Sequence, residues 1–89
     1  MKFSNLPNLW KERLADHIKS NRDEDRNELG ADDFKANQVS IKFPDGSTAT
    51  FRYAFYIAAP EINEFAVFTE HCGYHIFPFY DAEISETIE

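Results

Sequence analysis

The densest run of reactive side chains in the sequence is Thr69-Glu70-His71-Cys72-Gly73-Tyr74-His75. Two imidazoles, a thiol and a carboxylate at one hairpin end have the donor chemistry to hold zinc. If Glu70 pairs with Tyr74 across a three-residue turn, Thr69 and His75 lie opposite each other, His71 leans to their side and Cys72 takes the tip. A structural zinc site wants four ligands that converge, and this spacing matches no standard zinc module. A thiol nucleophile needs a lowered pKa and an oriented base. Adjacent strand residues point apart, and nothing nearby supplies a third member. The run is therefore read as a hairpin tip in which Gly73 makes the turn, His71 is solvated and His75 hydrogen-bonds across the strands. A small metal- or thiol-dependent enzyme built on His71, Cys72 and His75 stands as the competing class.

Other chemical signals are weaker. Asp23-x-Asp25-x-Asn27 begins like a calcium loop, but Glu28 stands where glycine is needed and Phe34 where a bidentate glutamate is needed. Three glycines in all, none in a phosphate-loop pattern, make phosphate cradling by backbone N–H groups a poor fit. His17 falls on an apolar helix stripe and is read as a partly buried structural histidine. Ser40, Lys42, Thr50, Arg52 and Tyr56 share one face of a predicted hairpin. Cations and aromatics on an open sheet are one route to single-stranded nucleic acid. Two basic residues in an acidic half chain oppose that route, because phosphate attraction supplies most non-specific affinity. No direct nucleic-acid binding and no cofactor are expected.

The charge balance points the other way. Nine Lys+Arg against 16 Asp+Glu give a net charge of −7. Residues 1–37 hold seven Lys/Arg and eight Asp/Glu, while residues 38–89 hold only Lys42 and Arg52 against eight acids. The second part is thus at −6 and also carries eleven of the fourteen aromatics. Acids and aromatics together favour a protein interface with a basic partner. The acidic contact candidates are Glu61, Glu64, Glu70, Asp81, Glu83 and Glu86. The aromatic ones are Tyr56, Phe68, Tyr74 and Tyr80, because the last strands supply more bulky apolar residues than one helix covers. Two readings of that excess stay open: an interface or homodimer contact, or coverage by the connection around Leu29 and Phe34.

These groups need a scaffold. Phe3, Leu6, Trp10, Leu14, His17 and Ile18 recur at helical spacing and predict a helix from about Asn5 or Pro7 to Ser20, capped by Ser4 or Asn5. Residues 21–37 read either as a short second helix ending at Gly30 or as a solvated, charged connection. From Gln38 the apolar period becomes two. Val39, Ile41 and Phe43 form one row, and Phe51, Tyr53, Phe55 and Ile57 form another on a single long strand. A three-residue Pro44-Asp45-Gly46 loop pairs Phe43 with Ser47 and Ile41 with Ala49, bringing the two rows to one face. Pro60 to Asn63 is a turn, and Glu64 to Glu70 a central strand apolar on both faces. Tyr74 to Tyr80 is an edge strand or ends near Phe77, since Pro78 cannot donate to a ladder. The tail, Asp81 to Glu89, is a short edge strand or a frayed acidic end.

The expected fold is α+β: one domain over residues 1–89, with an N-terminal helix packed on a four- or five-stranded antiparallel meander. At 89 residues with 43% apolar composition it supports a core. One cysteine, Cys72, excludes an intrachain disulfide framework. No apolar run reaches a membrane span and the first ten residues lack a secretory pattern, so a cytoplasmic location and no membrane contact are expected. The expected function is a non-enzymatic protein-binding module. Its composition is similar to that of small acidic inhibitors from phages and mobile elements, including anti-restriction and anti-CRISPR proteins, which implies masking of a basic, nucleic-acid-binding site on a host protein. A self-associating structural subunit is a further alternative.

Overall fold

A computed structural model describes residues 6–22, 29–30, 33–34, 37–79 and 81–88. The chain divides into two compact units, Met1–Asp33 and Phe34–Glu89. That boundary falls just before the change of composition at Asn37. Among the described residues, one α-helix and six strands give an α+β architecture.

In the first unit, helix α1 spans Asn8–Arg22. Pro7 precedes it and contributes a carbonyl rather than a donor: the Lys11 N–H donates to the Pro7 oxygen at 3.0 Å. A residue without an N–H suits this place, where none would be bonded. Leu6, Trp10, Leu14 and Ile18, one helical turn apart, are all buried, and so is Leu29. The capping roles assigned to Ser4 and Asn5 lie outside the described residues.

The second unit holds two three-stranded antiparallel sheets. Strands β1 (Asn37–Lys42), β2 (Thr48–Arg52) and β6 (Glu83–Ile88) form the first, in the order β2-β1-β6. Strands β3 (Ala54–Ala59), β4 (Glu64–Thr69) and β5 (Tyr74–Pro78) form the second, in the order β3-β4-β5. This corrects the single meander at two places. The long strand predicted after the first turn breaks at Tyr53, whose φ of 52° turns β2 out of line and starts β3. The tail also crosses to pair with β1 rather than continuing beside β5.

Both corrections follow from burial. β1 carries Val39 and Ile41 at 0% and 1% exposure, so its backbone needs a ladder on each side. β6 supplies the second ladder and adds Ile84, with Ala82 just before it, to the same core. The break at Tyr53 shifts side-chain parity. Ala54, not Phe55, joins Val39, Ile41, Phe65 and Val67 in the core cluster, and Tyr56 and Ala58 pack against it. Tyr53 itself is 45% exposed, and Phe55 stacks on Phe68 at 5.3 Å with Phe34 5.7 Å away. Strand β4 is buried on both faces, as its sequence implies: Phe65, Ala66, Val67 and Phe68 are all at 0%.

The first hairpin has the predicted register. Ile41 lies opposite Ala49, the Phe43 N–H donates to the Ser47 oxygen at 2.9 Å, and Gly46 adopts φ 90°. Asp45 holds the loop, accepting from the Ser47 N–H at 2.9 Å and the Ser47 hydroxyl at 2.6 Å. These bonds to the ionised form hold the Asp45 carboxyl below its usual pKa. Residues Pro60–Ile62 form a 3-10 turn closed by Asn63 at φ 57°.

Candidate functional site

The β4–β5 tip differs from its sequence reading by two residues of register. Val67, not Thr69, lies opposite His75, and Phe68 lies opposite Tyr74. The loop is closed one step earlier, with the Thr69 N–H donating to the Gly73 oxygen at 2.9 Å. The Thr69 side chain makes this register the better one: its hydroxyl donates to the Gly73 oxygen and accepts from the Cys72 N–H, each at 2.8 Å. Gly73 at φ 75° completes the turn.

The reactive groups are consequently dispersed. His71 is exposed, 3.7 Å from the Glu70 carboxylate and edge-on to the Tyr53 ring at 6.1 Å. Cys72 is exposed at the tip. His75 lies down the strand in a triangle of rings with Phe51 and Phe77, 5.0 Å from Phe51, tilted, and 6.3 Å from Phe77, stacked, with those two rings 6.2 Å apart. Its Nε2 is buried without a hydrogen-bond partner, so the cross-strand bond expected of it is not made. Among the described residues no three His, Cys, Asp or Glu side chains are grouped to hold a metal ion. On α1, His17 is half-buried, and that burial lowers its pKa while the Asp33 carboxylate pulls it up.

The aromatic candidates do not assemble into one patch. Phe68 is fully buried, Tyr56 belongs to the opposite face of the second sheet and packs on the core cluster, and Tyr74 is half-buried beside Phe68. Tyr80 lies outside the described residues. Interior packing thus absorbs the apolar excess of the last strands at Phe68, and Phe34 supplies part of that packing through Phe55.

The acids divide differently. Glu64 lies opposite Pro78 at the start of β4, and the Phe79 N–H donates to the Asn63 oxygen at 2.8 Å. This draws the segment after β5 alongside the turn that bears Glu61. Two residues beyond Phe79 comes Asp81, then Glu83 opposite Lys42. The backbones of Glu61, Glu64, Asp81 and Glu83 therefore lie toward one end of the two-sheet unit, the end that also carries the Asp45 loop, with Glu64 and Glu83 on the outer faces of different sheets. Glu61, Asp81, Glu83 and Asp45 are exposed and Glu64 is half-buried. Glu70 stands at the other end of β4, and Glu86 lies three residues farther along β6.

A second surface adjoins this end. On the outward face of the first sheet, cross-strand rows read Thr48-Lys42-Glu83 and Thr50-Ser40-Ser85. These six residues line an open groove of about 500 Å³. Ser40, Lys42 and Thr50 share a face in the sequence pattern, whereas Glu83 and Ser85 join them only because β6 returns to β1. A tail of alternating apolar and acidic residues signals a strand; nothing in it names the strand it pairs with. Tyr56, placed on that face by simple alternation, is removed from it by the break at Tyr53. The groove offers four hydroxyls, an ammonium and a carboxylate, which suits hydrogen bonding to a polar chain. No described helix is long and apolar enough to cross a membrane.

Comparison with protein-family models, with curated proteins and with solved structures returned no match for this chain.

Proposed function

We propose that this chain is a non-enzymatic protein-binding module that presents an acidic surface to a basic partner, in the manner of an inhibitor that masks a nucleic-acid-binding site. The observation that carries the reading is the convergence of Glu61, Glu64, Asp81 and Glu83 on one end of the two-sheet unit, from positions up to 22 residues apart in sequence. Four carboxylates at one end steer a cationic partner toward that end and penalise an anionic one. The groove beside them adds hydroxyls that pair with polar groups of the partner. A charge of −6 over the second part of the chain fits the masking of one basic patch better than full imitation of a nucleic acid.

The test is capture of partners from a host lysate with the wild-type chain and with a quadruple variant, Glu61→Gln, Glu64→Gln, Asp81→Asn and Glu83→Gln. Basic proteins retained at about 50 mM salt are expected to be lost both at about 500 mM salt and with the variant. An identical captured set under all conditions would contradict an electrostatic interface.

A further inference from the structure

The terminal strand of the first sheet has one bonded side and one open side. The alternation of backbone groups identifies which residues face each. In an antiparallel ladder the N–H and C=O of one residue point to the same side, and the next residue's point to the other. Phe43 both donates to Ser47 and accepts from Gly46, so its backbone groups face β2. By alternation Ile41 and Val39 also face β2, while Lys42, Ser40 and Gln38 face β6. Their register partners are Glu83, Ser85 and Thr87. The intervening Ile84 and Glu86 therefore aim their N–H and C=O groups away from β1, along an edge that pairs with no other strand among the described residues.

That edge differs from the β5 edge of the second sheet. β5 ends in Pro78, which has no N–H to offer. β6 has no proline, glycine or lysine, and Glu83, Ser85, Glu86 and Thr87 are exposed along it. Exposed edges of this kind add strands unless a device prevents it. Here the devices are carboxylates, and their effect depends on the partner. A second copy pairing antiparallel through β6 would lay its own Asp81, Glu83 and Glu86 along the same short stretch, with Glu86 directly opposite its counterpart in one of the registers that bond outward residues to each other. Like charges facing each other across strands are destabilising. A cationic strand meets the same groups with opposite charge.

We propose that β6 takes up an extended, lysine- or arginine-bearing segment of a protein partner by strand addition, with Ile84 and Glu86 exchanging backbone hydrogen bonds with it. Glu83 and Glu86 select its charge, and Ser85 and Thr87 meet its polar side chains on the outward face. This specifies how the proposed module would grip its basic partner, and it rests on that reading. Strand addition draws affinity from main-chain bonds and specificity from alternate side chains.

The probe is an acetylated and amidated peptide alternating lysine and valine over seven residues, prepared in both phases of the alternation. Controls are the same peptides N-methylated at every residue, so that neither edge can donate, and a glutamate-for-lysine counterpart. The basic peptides are expected to bind at about 50 mM salt. N-methylation should weaken binding more than about tenfold, because each lost backbone bond is worth about fivefold. Glu86→Pro removes the outward N–H without touching a residue bonded to β1. It is expected to weaken binding about fivefold more than Glu86→Gln, which loses only the charge. Circular dichroism of both variants reports whether the fold is retained.

Equal binding of methylated and unmethylated peptides overturns strand addition and leaves a purely electrostatic contact. Failure of either basic peptide to bind at millimolar concentration, or better binding of the acidic one, overturns the basic-partner reading as well. Concentration-dependent dimers abolished by Glu86→Pro would identify a second copy as the occupant and overturn the proposal.

Discussion

Gly46 shows what one residue decides in this fold. A Cβ built on it meets nothing within 4 Å, so a substitution there is resisted by backbone conformation and not by crowding. At φ 90° an L-residue clashes with its own peptide groups. Gly46→Ala is expected to cost about 1 kcal/mol, and Gly46→Val more, because a branched Cβ tolerates positive φ least. Thermal or urea unfolding checks the order wild type, alanine, valine; an unchanged midpoint for valine would contradict the bulged three-residue loop. This loop was legible in the sequence because proline, aspartate and glycine each have a local conformational meaning, and because only one register puts Val39, Ile41 and Phe51 together. The opposite hairpin was less legible. Gly73 marks its turn, but the closing pair depends on the two hydrogen bonds of the Thr69 hydroxyl, which spacing does not reveal.

At the scale of elements, the informative feature is the break between β2 and β3. Alternation from Phe51 to Ile57 is unbroken in the sequence, so it reads as one strand with one buried face. Nothing local favours positive φ at Tyr53, a bulky residue that seldom adopts it. The break is imposed by what the two halves pack on: β2 lies beside β1, β3 beside β4, and each buries a different parity. Its consequence for surface chemistry is testable at Phe68 and Tyr74, neighbours across the β4–β5 ladder. Phe68→Ala removes a fully buried ring stacked on Phe55 and is expected to destabilise by about 3–5 kcal/mol. Tyr74→Ala, at a half-buried strand end, is expected to cost less than half as much. Denaturant unfolding of the two variants decides the matter. Equal small losses would return Phe68 to the role of a surface aromatic, the one its sequence position suggests.

At the scale of the whole molecule, charge and topology act together. Composition alone placed the excess acid on residues 38–89, and the fold sorts that acid further. Glu61, Glu64, Asp81 and Glu83 come to one end, Glu70 to the other, and Glu86 lies along an open strand edge. The return of β6 to β1 accomplishes much of this sorting, and it was the least legible step. The pairing of a tail strand depends on which ladder in the assembled core is still vacant, a long-range property that no local pattern carries. The edge of β6, in this proposal, is open to a cationic strand. Residue-resolved amide hydrogen exchange along β6, free and with the lysine–valine peptide, tests it most directly. In the free protein Glu83, Ser85 and Thr87 are expected to exchange more slowly than Ile84 and Glu86, and the peptide should slow Ile84 and Glu86 selectively. Rates without this alternation, or a peptide effect that spares Ile84 and Glu86, would contradict the claim.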